Sequence, residues 1–182
     1  MRPSVMWLLV VVAGDCKHPE ATGEAPPVVD PSIAVPADGG GVVFHAHAAG
    51  TQNYACARGT GGVYSWTPTG PEAELRDERG GLIGHHFASE PNGGAPEWEA
   101  LDRSYVVGQK VAAFTPDGGA QAVPWLLLRA VAHGGTGPLA NARYVQRVAT
   151  GGGLAPTTAC EASVAGTKEK VPYTAEYFFY GP

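Results

Sequence analysis

The residues best suited to chemistry in this sequence are a few histidines, two glutamates and a tryptophan. His45 and His47 stand two apart in the segment Val42-Val43-Phe44-His45-Ala46-His47-Ala48. In an extended strand they point to one side, so both imidazoles can reach a single metal ion, with a third ligand supplied from elsewhere. His85 and His86 are adjacent; on a strand they face opposite sides and cannot chelate together, and one of them is expected to face the core. Glu97 and Glu99 flank Trp98. Two such carboxylates on a strand lie about 6 to 7 Å apart on one face, which approaches the separation used in inverting glycoside hydrolysis. Trp98, beside a polar stretch and two acids, is the aromatic ring most expected to face a ligand, whereas Trp66 and Trp125 are expected in the core. The ligand-facing set is therefore His86, Trp98, Glu97 and Glu99, and the metal-ligating pair is His45 and His47. The plainer alternative is that the histidines are exposed or hydrogen-bonded and the rings are core.

The standard catalytic frameworks lack their parts. There is no Gly-x-Ser-x-Gly elbow, no His-Glu-x-x-His and no P-loop, and Gly134-Gly135-Thr136-Gly137 opens onto Pro138 rather than a helix. No catalytic residue is assigned and no cofactor is called for. Charged residues make up 16% of the chain and the formal net charge is −5, so the basic footprint that nucleic acid requires is missing. The expected partner is a small molecule, a glycan or a component of the cell envelope. Two functional classes follow. The leading one is a non-catalytic binding or structural module; the alternative is a metal-dependent or carboxylate-based hydrolase built on the region of His86, Trp98, Glu97 and Glu99.

The N-terminus predicts export. Met1-Arg2 followed by the apolar run from Val5 to Ala13 has the charged start and short hydrophobic segment of a secretory signal, and it falls short of the roughly 20 apolar residues that cross a bilayer. Residues 1–15 are read as signal peptide. Ala13-Gly14-Asp15-Cys16 resembles a bacterial lipobox, with Asp15 departing from the small residue that pattern expects, so Cys16 is the candidate for lipidation and for any membrane contact. Residues 16–31, with Pro19, Pro26, Pro27 and Pro31, read as a Pro/Ala/Gly-rich tether. The other two of the three cysteines, Cys56 and Cys160, lie inside the domain; in an exported protein they are expected to pair, a metal site or free thiols being the alternatives.

What must position these residues is a set of short strands. The 26 glycines and 16 prolines of the 182 residues, beside a hydrophobic fraction of 44%, suit a globular domain of strands and turns. The most apolar stretch outside the N-terminus is residues 122–131, Ala-Val-Pro-Trp-Leu-Leu-Leu-Arg-Ala-Val. Pro124 disfavours a helix there, and a run with no alternation predicts a strand covered on both faces, hence a sandwich or a closed barrel. Period-two segments are expected at 42–48, 52–57, 63–68, 73–76, 82–87, 105–114, 142–148 and 171–180, with turns at 49–51, 59–62, 77–81 and 115–119, a long polar loop over 89–96, and an edge strand near 32–35. Within 142–148, Tyr, Gln and Val alternate against Val and Arg, the pattern of a half-exposed strand. No stretch keeps a capped helical period. The fold expected over residues 32–182 is all-β, a single domain of about eight to ten mostly antiparallel strands with little helix.

Several of these motifs, in this order, resemble the exported bacterial and fungal proteins grouped as domain of unknown function 3455. They are Gly50-Thr51-Gln52-Asn53-Tyr54-Ala55-Cys56, Trp66, His86-Phe87-Ala88 followed by Trp98-Glu99-Ala100, Val123-Pro124-Trp125-Leu126-Leu127-Leu128, Tyr144-Val145-Gln146-Arg147-Val148-Ala149-Thr150-Gly151-Gly152, and the aromatic end from Val171 to Tyr180. The resemblance covers residue 32 to the C-terminus and confers no activity; the malate dehydrogenase label of some fungal members finds no dinucleotide fingerprint here. Two departures stand out: the link between His86 and Trp98 is longer than the family's, and Arg103 occupies a position where the family has glycine.

Overall fold

A computed structural model describes residues 25–116 and 121–182. The signal segment, Cys16, most of the tether and part of the turn expected at 115–119 lie outside the described residues. Eight strands follow one another as β1 (Gly41–Arg58), β2 (Tyr64–Arg76), β3 (Leu82–Ser89), β4 (Ala95–Ala100), β5 (Tyr105–Phe114), β6 (Trp125–Gly134), β7 (Tyr144–Gly152) and β8 (Lys168–Gly181). Each pairs antiparallel with its sequence neighbour, and β8 returns to pair with β1, closing the sheet into a barrel. The only helical pieces among the described residues are single 3₁₀ turns. Every strand has a partner on both sides over at least part of its length, so the strand number that the turn spacing implied resolves into a barrel rather than a sandwich.

The interior is filled by one face of every strand. Ala46, Ala48, Leu75, Trp98, Val106, Leu128, Val145, Tyr173, Tyr177 and Phe179 form one buried cluster. Small residues of β1 face large ones of β8: Ala46 sits opposite Tyr177 in the register. This size alternation lets four inward rings of β4 and β8 fit a narrow barrel. Outside, Val42, Val148, Phe178 and Tyr180 form a second buried cluster covered by Val29, Val35, Trp125 and Tyr144.

Several expectations need correction. The turn at 49–51 does not form: β1 runs unbroken for 18 residues. Gly50 is there because the backbones of β1 and β2 approach closely, a β-carbon at this position lying 2.2 Å from the Glu72 carbonyl oxygen. A glycine in a strand marks such an approach as readily as a turn. Likewise 63–68 and 73–76 are one strand. Pro68 and Pro71 lie inside β2 where it pairs with β1 alone, since pairing with β3 begins only at Glu72; the missing amides face an unpaired edge. The edge strand near 32–35 is instead a 3₁₀ turn, Pro31–Ile33, started by Asp30, whose carboxylate accepts from the Ser32 amide at 2.9 Å. The long loop over 89–96 shrinks, because β3 continues to Ser89 and β4 starts at Ala95. In the apolar run, the strand begins at Trp125 and Val131 is 52% exposed, so the run is covered on both faces only around Leu127 and Leu128. β7 departs in the other direction: Val145, Gln146 and Val148 are all buried, because its outer face lies under the chain that precedes β1. Trp66 is half-buried, its indole N–H donating to the Thr158 carbonyl at 2.9 Å.

Candidate functional site

The inner face of β3 and β4 carries the first candidate site. His86 pairs across the ladder with Trp98, and their rings stack in parallel, centroids 4.3 Å apart and planes 3° apart. Tyr177 meets both rings edge-on at 5.1 and 5.3 Å. The stack forms a wall of a cavity of about 530 Å3, lined also by Gln52, Leu126, Leu128 and Arg147 and rimmed by residues 68–71 of β2 and Gly93-Gly94 of the β3–β4 turn. The rim is low on this side because β2 outruns its pairing with β3, which leaves the barrel open at residues 68–71.

The electrostatics of this cavity are unusual in one respect. His86 is 3% exposed, and its Nδ1 lies 2.8 Å from the Glu97 carbonyl oxygen. A carbonyl only accepts, so Nδ1 carries the hydrogen and Nε2 the lone pair. Burial opposes the charged form and moves the imidazole pKa down to about 3, overriding the Glu97 carbonyl, which favours the proton, while Arg147 adds to the fall. His86 is therefore neutral near pH 7. Burial likewise raises the phenols of Tyr173 and Tyr177 above their ordinary value. Arg147 is then the one charge on the cavity wall. Its Nε and Nη2 donate to the Pro124 carbonyl at 3.1 and 2.8 Å, and none of the ion pairs among the described residues involves it. No Asp or Glu lines the cavity. The indole N–H of Trp98, 1% exposed, has no hydrogen-bond acceptor among the described residues, an omission that buried donors rarely tolerate.

The pleat separates the four residues that the sequence grouped. β4 alternates, so Trp98 and Ala100 are buried inside while Glu97 and Glu99 are only partly buried and take the outer face. Glu99 pairs with the exposed Arg103 at 2.7 Å and lies opposite His85 in the ladder. The glutamates thus stand on the far side of the wall from the cavity. The signal missed in the sequence was Arg147: it shares a face of β7 with Val145, and an arginine in register with inward apolar residues is itself an indication of a polar interior site.

His45 and His47 sit together on the outer face of β1, rings 4.9 Å apart. The sequence left their third partner open, and the fold supplies Glu78 from the β2–β3 turn, whose Oε1 lies 3.3 Å from His45 Nδ1 and 3.0 Å from His47 Nε2. Cys56 and Cys160 form a disulfide across 104 residues of sequence. It fastens the end of β1 to the segment that leads into β8.

A closed eight-stranded antiparallel barrel with a lined interior cavity is the class that fold and site define. The chain belongs to the family described as Protein of unknown function (DUF3455), whose model matches residues 36–181. No curated protein and no solved structure shows a significant match.

Proposed function

We propose that this protein is an exported, non-catalytic binding module of the cell envelope, and that the barrel mouth holds a small ligand with an apolar or aromatic body and one anionic group. The observation that carries it is Arg147, a part-buried guanidinium without a carboxylate partner on the wall of a cavity that no Asp or Glu lines. A carboxylate or similar anion supplies it with acceptors, and a guanidinium is the side chain best shaped to receive one. The stacked His86 and Trp98 and the leucines of β6 offer an apolar bed of the kind that takes the body of a small ligand. Catalysis by this cluster is not favoured, because the carboxylates on β4 lie outside the barrel and His86 stays neutral. Export is supported by the N-terminal apolar run and by a disulfide, which persists in oxidising compartments. No helix among the described residues is long and apolar enough to cross a membrane.

The test is calorimetric titration of the full chain, recovered from a bacterial periplasm, with matched pairs of aryl and alkyl carboxylates and their neutral amides, 2-naphthoate and 2-naphthamide first. The acid is expected to bind at least about 10-fold more tightly, worth about 1.4 kcal/mol, and Arg147→Gln is expected to erase that ratio. Equal affinity for acid and amide, or no binding across the panel, would sink the proposal. Recovery of the protein only from the cytoplasm, with Cys56 and Cys160 open to thiol labelling, would refute export.

A further inference from the structure

The outer face of the barrel carries a second cluster, independent of the cavity. We propose that His45, His47 and Glu78 form a binding site for one first-row divalent metal ion of the zinc type, with Glu176 orienting the two imidazoles from behind.

The donor atoms already converge. One ring nitrogen from each of His45 and His47 and a Glu78 carboxylate oxygen lie within 4.8 Å of one another, and Glu78 Oε1 stands 3.3 Å from His45 Nδ1 and 3.0 Å from His47 Nε2. Ligands about 2.0 to 2.2 Å from a tetrahedral zinc are about 3.4 Å apart, so an ion fits with small side-chain movements. Two imidazoles and one carboxylate form a borderline-hard donor set that suits zinc and its neighbours better than calcium or magnesium. Three protein ligands leave a fourth position open to water or to a partner's donor.

The other nitrogen of each ring faces a second carboxylate. Glu176 on β8 pairs with His47 in the ladder; its Oε2 lies 3.7 Å from His45 Nε2 and its Oε1 3.9 Å from His47 Nδ1. A carboxylate behind a metal-binding histidine fixes the tautomer and raises the basicity of the ligating nitrogen. At 3.7 and 3.9 Å this carboxylate is at ion-pair rather than hydrogen-bond distance, so serving either ring takes a small side-chain rotation. The frame around them is stiff. His45 is stacked on Phe178 at 4.2 Å, its side chain 6% exposed. Asp77 holds the turn that presents Glu78, its carboxylate accepting from the Arg79 and Gly81 amides at 2.9 and 2.7 Å. Arg76, the cross-strand neighbour of His47, is engaged by Glu74 at 2.6 Å and by the Gly80 carbonyl at 2.7 Å, which lessens its repulsion for a metal ion.

The experiment is titration of the metal-free full chain with Zn2+, followed by calorimetry and melting temperature, and with Co2+, followed by its visible absorption. One equivalent per chain is expected, with a dissociation constant in the micromolar range or below, a higher melting temperature and a tetrahedral Co2+ spectrum. Glu78→Gln and His47→Gln, at exposed or half-exposed positions, should each weaken binding at least 10-fold. Glu176→Gln should weaken it about 10-fold, and Glu90→Gln, in the exposed 3₁₀ turn between β3 and β4, should leave it unchanged. No stoichiometric binding of either ion would overturn the site, as would binding that survives both Glu78→Gln and His47→Gln.

Discussion

His86 should make this barrel lose stability in acid, by an amount that one substitution isolates. In the unfolded chain the imidazole titrates near its ordinary value of 6.5, whereas in the barrel burial holds it down to about 3. Between those two values the unfolded state binds a proton that the folded state refuses, so unfolding takes up a proton and stability falls as pH falls through the interval. The slope for one such group is about 1.4 kcal/mol per pH unit, and over the whole interval it reaches roughly 4 to 5 kcal/mol, comparable to the entire stability of a marginal domain. His86→Asn is the informative variant, because an amide nitrogen can still donate to the Glu97 carbonyl while nothing at that position titrates. It costs stability at pH 7 by leaving space beside Trp98, but its loss on acidification should be smaller than that of the parent. Urea unfolding followed by circular dichroism from pH 7.5 to pH 4 measures both proteins. The difference in unfolding free energy between them should narrow by about 3 kcal/mol over that range. Carboxyls held low by their partners, such as Asp30 beside Ser32 and Glu72 beside Lys170, lose stabilisation in the same direction as pH falls below their unfolded values, but they do so in both proteins and cancel. A constant difference between parent and variant across the range would refute the buried, neutral imidazole.

Three other outcomes follow from the barrel. Replacing Cys56 and Cys160 together by alanine should cost about 4 to 5 kcal/mol, the loop-closure entropy for a bridge spanning 104 residues, read as a lower denaturant midpoint; a loss under about 1 kcal/mol would contradict it. Arg103→Gly should raise stability by about 1 kcal/mol, because Arg103 holds φ at 70°, where a β-carbon is strained; an unchanged or lower melting temperature would show that its exposed pair with Glu99 outweighs the strain. Gly50→Ala should cost about 2 to 3 kcal/mol, since the new methyl would meet the Glu72 carbonyl and force β1 and β2 apart; a neutral result in thermal melting would mean that the two strands part easily.

The strand content was legible because nothing in the sequence competes with period two, and the hairpin across residues 77–81 and the strand at 105–114 stand where the turn residues put them. The long strands were not legible. Gly50, Gly70, Pro68 and Pro71 punctuate the sequence as turns do; Gly50 instead serves the close approach of β1 to β2, Gly70 stands at the register shift between those strands, and the two prolines fit because β2 leaves β3 unpaired before Glu72. For the same reason the sequence could not separate a sandwich from a barrel, since closure depends on β1 meeting β8 across more than a hundred residues. Among site residues, His45 and His47 were visible as a same-face pair from spacing alone. Glu78 was not, because its proximity comes from the hairpin folding back over β1. Arg147 looked like the polar face of a half-exposed strand; the residues that bury the other face come from before β1, in a stretch read as tether and edge strand.

The pleat explains why the two candidate sites coexist without sharing a residue. β1 turns Gln52 into the barrel and His45 and His47 outward; β3 does the same with His86 and His85, β4 with Trp98 and Glu99, and β8 with Tyr177 and Glu176. Inside, burial holds His86 neutral and raises the Tyr173 and Tyr177 phenols, which leaves Arg147 as the cation that the proposed anionic ligand would meet. Outside, Glu78 and Glu176 gather around two imidazoles, the donor set that the proposed metal ion would take. A single-residue slip of any of these strands would exchange the two faces, carrying a carboxylate into the barrel and the His86–Trp98 stack into water. The placement of both sets of residues therefore depends on the same register, and β8 holds Tyr177 against the cavity and Glu176 against the histidines on successive residues.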